Sequence, residues 1–289
     1  MTPTRRNCLT AVSLAAASLS RRLNAANQAS GLKGRIRHSV CKWCYPKHSV
    51  EELSKAGKEI GLESIELLGP NDWPVLAKYG LTCAMGSSPN VDGIGGIPRA
   101  FNRLEHHDRL VTGYEDLIPK AAAAGVPNVI CFSGNRDGLA DEKGIENCAI
   151  GIKRIIGLCE KHKVNLVMEL LNSKVNHKDY QCDRTEWGVE LVRRVGSDRF
   201  KLLYDIYHMQ IMEGDVIATI RKYYQYIAHY HTGGVPGRRE IDETQELYYP
   251  AIMQAIAAVG FKGYVAQEFI PANPDPLASL NKCVRICDV

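Results

Sequence analysis

Four short apolar runs in the second half of the chain each close on a side chain able to hold a metal ion or carry a proton. Val164-Asn-Leu-Val-Met-Glu169 ends in Glu169, the run from Phe200 ends in Asp205, Ile227-Ala-His-Tyr-His231 ends in His229 and His231, and Tyr264-Val-Ala-Gln-Glu268 ends in Glu268. A run of about four to eight residues that is apolar nearly throughout suits a strand buried on both faces, as in a parallel sheet. An unpaired charge inside such a strand costs several kcal/mol, so Asp205 belongs at the strand's open end beside a cation. A lone strand-end glutamate is more often a salt-bridge partner than a ligand, and a lone histidine more often a hydrogen-bonded core residue. Four such endings on successive runs point instead to one shared site.

The rest of the chain follows the same strand-then-helix rhythm. Strands are expected at Ile36–Cys41, Glu63–Leu68, Leu81–Met85 and Asn128–Phe132 ahead of the four already named. Ser49 with Glu52 forms a capping box that opens a helix running to Ile60. Further helices are expected at 71–79, 108–124, 141–162, 183–195, 215–224, 248–259 and 275–287. Eight such units, with no Pro/Ser-rich linker between them and with the chemically active groups at strand C-termini, predict a single-domain α/β fold, a (β/α)8 TIM barrel over residues 36–289. The segment 86–107 breaks the rhythm. Its many glycines lack phosphate-cradle spacing, and a long loop of this kind is expected either to be a mobile cover over the site or to lie on the surface.

Residues 1–35 carry six basic residues and no acid, which leaves the remaining chain at −2 although the whole is +4. That body has no excess of cations for phosphates, which argues against nucleic acid as the main partner. Arg5-Arg6 before the Leu9–Leu19 stretch resembles a bacterial twin-arginine signal, so the expected location is periplasmic or exported by that route, and cytoplasmic if 1–35 is only a basic tail. No apolar run reaches the roughly 18–20 residues of a membrane span. The cysteines lie mostly within apolar runs, where small buried thiols are expected. Cys41-Lys-Trp-Cys44 has no second pair at zinc-ribbon spacing and is expected to form the first strand's end and exit loop.

Closing the barrel would bring Glu169, Asp205, His231 and Glu268 to one quadrant of its mouth. Three carboxylates and one imidazole make a hard, anionic site suited to Mg²⁺ or Mn²⁺, and less to Co²⁺ or Zn²⁺. Only one of His229 and His231 need be a ligand. Asn135, Glu66 and His107, at strand or loop exits, are further candidates for substrate contact.

The stretches Met168-Glu-Leu-Leu-Asn172, Tyr204-Asp-Ile-Tyr-His-Met-Gln210, His229-Tyr-His-Thr-Gly-Gly-Val-Pro-Gly-Arg238 and Gln267-Glu-Phe-Ile-Pro271 closely resemble the hydroxypyruvate isomerase family of xylose isomerase-like barrels. The resemblance implies metal ligands at Glu169, Asp205, His231 and Glu268, with Glu169 and Glu268 as the acid/base pair. It also implies substrate contacts from His208 and Arg238, and a reaction in which proton transfer through an enediolate turns hydroxypyruvate into tartronate semialdehyde. One position departs from the pattern. Those isomerases characteristically carry Gln where this chain has His231, and ketose 3-epimerases of the same superfamily carry His. A 3-epimerase, or a dehydratase of a keto-sugar or inositol derivative, is therefore the alternative enzyme. A metal-dependent sugar-binding barrel without turnover is the alternative outside enzymes, and a nuclease is disfavoured by the charge and the ligand set. The expected partners are a small hydroxy-carbonyl substrate and, beyond it, at most further copies of the same chain.

Overall fold

The computed structural model describes residues 31–289. The twin-arginine stretch and the apolar run after it lie outside them. Seven parallel strands, β1 (Arg37–Cys41), β2 (Ser64–Glu66), β3 (Asn128–Cys131), β4 (Asn165–Glu169), β5 (Phe200–Asp205), β6 (Ile227–Thr232) and β7 (Tyr264–Gln267), form one sheet in the order β2-β1-β7-β6-β5-β4-β3. The two edges are joined by the segment where a further strand was expected. Thr82 bridges to Ser64, and Gly86 bridges to both Leu68 and Val129, with Gly86 N–H donating to Asn128 O at 2.8 Å. The sheet is thus a closed barrel. The eighth strand is reduced to these bridges because its hydrogen bonds to both neighbours are few.

Inward and outward positions alternate along each strand. On β5, Leu202 faces the helix Thr185–Val195, which approaches closely enough that a Cβ at Gly188 would lie 2.9 Å from the Leu202 side chain. Glycine is required there by contact rather than by backbone angle. On the inward side, Asp205 and His231 are both fully buried and directly paired across β5 and β6. The Ser49–Glu52 capping box forms as expected: Ser49 Oγ accepts from Glu52 N–H at 3.1 Å and Glu52 Oε2 accepts from Ser49 N–H at 2.8 Å. No helix among the described residues is long and apolar enough to cross a membrane.

Two expectations are corrected and one unforeseen helix is added. The helix expected over 141–162 is two, Asp141–Lys153 and Ile156–His162. The run beyond Asp205 is a short helix, Ile206–Met212, and Asp205 caps it by accepting from His208 N–H at 3.1 Å. The segment 86–107 is stitched down rather than free. Ile94 and Phe101 are buried, Asn102 N–H donates to Ser133 O at 2.7 Å, and the Asn102 side-chain amide donates to Gln181 at 2.8 Å. None of its hydrogen bonds among the described residues reaches the strand ends that carry Glu169, Asp205, His231 and Glu268. The nine cysteines among the described residues are free and buried, as the apolar context predicts. The packed body also reaches back to Leu32, which is buried, while Lys33 N–H is held by the Asp288 carboxylate at 2.9 Å.

Candidate active site

The four strand-end side chains meet at the C-terminal mouth of the barrel. Glu169 ends β4, Asp205 ends β5, His231 lies near the end of β6, and Glu268 follows β7 directly. One donor atom from each lies within 4.8 Å of those of the other three, and all four residues are buried. His231 Nδ1 is 2.8 Å from Glu268 Oε2 and 3.4 Å from Glu169 Oε1. Glu169 Oε1 is buried and has no hydrogen-bond partner. A carboxylate oxygen stripped of water and left unpaired is costly. A cation placed among these atoms would satisfy it, and three hard oxygens with one imidazole nitrogen are a donor set for a small divalent ion. The residues fit such an ion.

The charges within the cluster explain its unequal acidities. Burial pushes the Glu169 and Asp205 carboxyls up, and the neighbouring Glu268 charge adds to the push. Burial acts on Glu268 too, but His231 and Arg238 outweigh it and hold its carboxyl well below the usual range. Glu268 is thus the anchored carboxylate of the group. Its Oε2 accepts from Arg238 Nη2 at 2.5 Å and its Oε1 accepts from Trp43 Nε1 at 2.9 Å.

His208 stands on the first turn after Asp205. Its Nδ1 accepts from Asn172 backbone N–H at 3.2 Å, and the Asn172 side-chain amide is 2.6 Å away. A backbone N–H can only donate, so Nδ1 carries the lone pair and the proton resides on Nε2. Burial, with help from the Arg238 charge, lowers the His208 pKa well below the ordinary histidine value. The ring is neutral and points an N–H toward the cluster, 3.5 Å from Asp205 Oδ2 and otherwise unpartnered.

Arg238 reaches the cluster from a sharp turn in which Gly237 has φ +90° and Arg238 itself has φ +57°. Its guanidinium stands over two aromatic rings, 5.1 Å from the Trp43 centroid and 5.3 Å from that of Tyr207. Nη2 faces Glu268 and Asp205, while the buried Nε–H has no partner.

The remaining candidates fall elsewhere. His229 points below the cluster, with Nε2 on Glu66 Oε1 at 2.8 Å. Glu66 is fully buried inside the barrel and is not at a substrate-accessible exit. His107 is buried on the helix His107–Ala123, against Phe101 O at 2.8 Å, and Asn135 is held by Pro98 and Asn102 through its backbone. Trp43 and Asn172 were not among the residues expected at the site. An aromatic directly after a strand end, as in Cys41-Lys-Trp43, is the signal that was available for the first.

With this geometry in view, the comparisons with known proteins are consistent. The sequence profile described as xylose isomerase-like TIM barrel matches residues 45–283, and the chain belongs to that family. A human protein provisionally named a hydroxypyruvate isomerase is 25% identical over 255 residues, covering 84% of this chain and 85% of its own length. The hydroxypyruvate isomerase of Escherichia coli K12 is 25% identical over 223 residues, covering 74% of this chain and 84% of its own. The 2-oxo-tetronate isomerase of Pectobacterium atrosepticum is 24% identical over 227 residues, covering 75% and 85%. Among solved structures, a protein from Brucella melitensis described as an AP endonuclease of family 2 superposes with a TM-score of 0.74 at 24% identity, over 85% of this chain and 96% of its own. The D-psicose 3-epimerase of Clostridium cellulolyticum H10 gives 0.66 at 18%, over 88% and 94%. At these identities the two structures support the fold.

Proposed function

We propose that this isomerase of the xylose isomerase-like family acts on a small hydroxy-carbonyl acid, with hydroxypyruvate as the substrate and tartronate semialdehyde as the product. The observation that carries the proposal is the meeting of Glu169, Asp205, His231 and Glu268 within 4.8 Å, next to an arginine with a free buried donor. Glu169, Asp205, His231 and Glu268 would hold Mg²⁺ or Mn²⁺. When bound, such an ion supplies Lewis acidity that polarises a carbonyl and its neighbouring hydroxyl and so acidifies the C–H beside them.

The chain's own groups do the rest. In hydroxypyruvate the acidified proton is on the hydroxymethyl carbon. One of the two carboxylates, Glu169 or Glu268, removes it, and the same group or its partner returns a proton to the former carbonyl carbon. Positioned general bases and acids of this kind contribute about 10²–10⁴-fold to rate. The Nε2–H of His208 is aimed to donate to the oxygen on which charge develops. Arg238 offers its unpartnered Nε–H to the substrate carboxylate, and charge-assisted pairing of this kind is strong and directional. The Trp43 and Tyr207 rings near Arg238 supply cation–π contacts that help to hold the guanidinium in place.

A second reading, a ketose 3-epimerase, is favoured by His231 at the position where Gln marks the isomerases it resembles. Proton NMR in D₂O with Mg²⁺-loaded protein separates the two. Hydroxypyruvate is expected to lose its hydroxymethyl proton signal and to give product deuterated at the adjacent carbon. Exchange confined to the C3 proton of a neutral ketose would establish the epimerase instead, and no exchange into any substrate would remove both.

A further inference from the structure

The interior of a (β/α)8 barrel is ordinarily filled by branched apolar side chains. Beneath the mouth of this one lies a polar layer. Glu66, the last residue of β2, is fully buried there together with Ser39, His229 and His231. Its Oε1 accepts from His229 Nε2 at 2.8 Å and from His231 Nε2 at 2.9 Å, and its Oε2 accepts from Ser39 Oγ at 2.6 Å. No lysine or arginine pairs with it among the described residues. A buried carboxylate without such a partner is expensive, and here two imidazoles on one oxygen are what hold it.

We propose that Glu66 is a positioning residue that fixes the ring orientation and tautomer of His231, so that the Nδ1 lone pair is turned toward Glu169 and Glu268. The inference rests on the ion-binding reading of the four-residue cluster. A neutral imidazole has one N–H and one lone pair. A carboxylate can only accept, so with Glu268 at Nδ1 and Glu66 at Nε2 both nitrogens carry protons until an ion takes the place of the one on Nδ1; the bond to Glu66 then keeps the remaining proton on Nε2 and leaves Nδ1 as the donor atom. Nδ1 is the nitrogen that lies 2.8 Å from Glu268 and 3.4 Å from Glu169. Were the ring turned over about Cβ–Cγ, Cδ2 would stand where Nδ1 does and Cε1 where Nε2 does, so the donor facing the cluster and the bond to Glu66 would be lost together. His229 and Ser39 complete the device by restraining Glu66 itself, since together with His231 they engage both of its oxygens.

The test is a double-mutant cycle read as Co²⁺ affinity, by calorimetry and by the visible absorption of the bound ion. Glu66→Gln is expected to weaken Co²⁺ binding about 10–100-fold, the range found for such supporting partners. In the His231→Gln background, where no second ring nitrogen needs a partner, the same change is expected to cost less than about threefold, the residual of an uncoupled pair. Equal losses in both backgrounds would make Glu66 a general structural residue and overturn the inference while leaving the ion site intact. Failure of the unmutated protein to take up Co²⁺ would overturn the ion site and the inference together. A second measurement needs no substitution: ¹⁵N-histidine NMR of Zn²⁺-loaded wild-type protein should place the His231 proton on Nε2, and a proton on Nδ1 would contradict the proposal.

Discussion

Replacing Glu169 or Glu268 by glutamine is expected to lower turnover at least a hundredfold in either case, while only the Glu268 variant loses stability. The catalytic loss follows from removing a proton-transfer group, a contribution of about 10²–10⁴. The stability effects follow from what each carboxylate touches. Glu169 Oε1 is buried without a hydrogen-bond partner, so a neutral amide there relieves burial and crowding in the metal-free protein. Its unfolding midpoint should stay level or rise. Glu268 accepts from Arg238 at 2.5 Å and from Trp43 at 2.9 Å and lies 2.8 Å from His231. Glu268→Gln weakens the charge-assisted bonds, each worth about 1.5–3 kcal/mol, and the midpoint should fall. Kinetics at saturating Mg²⁺ beside denaturant curves without metal provide both numbers. Near-wild-type turnover in either variant would remove it from the proton-transfer role.

Arg238→Met is expected to raise the KM for hydroxypyruvate about 10–100-fold, the equivalent of one charge-assisted hydrogen bond. Methionine keeps much of the side chain's packing against Trp43 and Tyr207, so the change falls on the charge. A neutral ketose has no carboxylate to lose, and its KM should hardly move if it binds at all. Arg238→Lys should recover only part of the loss, because an ammonium cannot reproduce the guanidinium's fixed donors. Equal effects on the acid and on ketoses would mean that Arg238 serves the cluster and not the substrate carboxylate. Steady-state kinetics on the two substrate classes decide it.

The barrel was legible because its strands are apolar runs buried on both faces and its active groups sit at their ends, a pattern that local composition carries. The weakest strand was expected at its proper place, around Leu81–Met85, but its reduction to bridges at Thr82 and Gly86 depends on pairing geometry that no single segment encodes. The strand was expected to end at Asp205, as it does, but the helix Ile206–Met212 was not foreseen, because the cap that opens it is a hydrogen bond of Asp205 visible only in three dimensions. Glycine content made 86–107 look mobile, whereas its order comes from buried Phe101 and from Asn102 bonds to Ser133 and Gln181. The convergence of Glu169, Asp205, His231 and Glu268 could be inferred from strand order alone. The histidine clamp of Glu66 could not, since its partners lie more than 160 positions away on β6.

The most direct measurement is a titration of chelator-stripped protein with Mn²⁺, following bound ion by electron paramagnetic resonance and isomerisation of hydroxypyruvate in the same samples. One ion per chain, activity rising in proportion to occupancy, and loss of both in Asp205→Asn are the predicted results. Full activity in the stripped protein, or uptake of Mn²⁺ that Asp205→Asn leaves unchanged, would contradict the account.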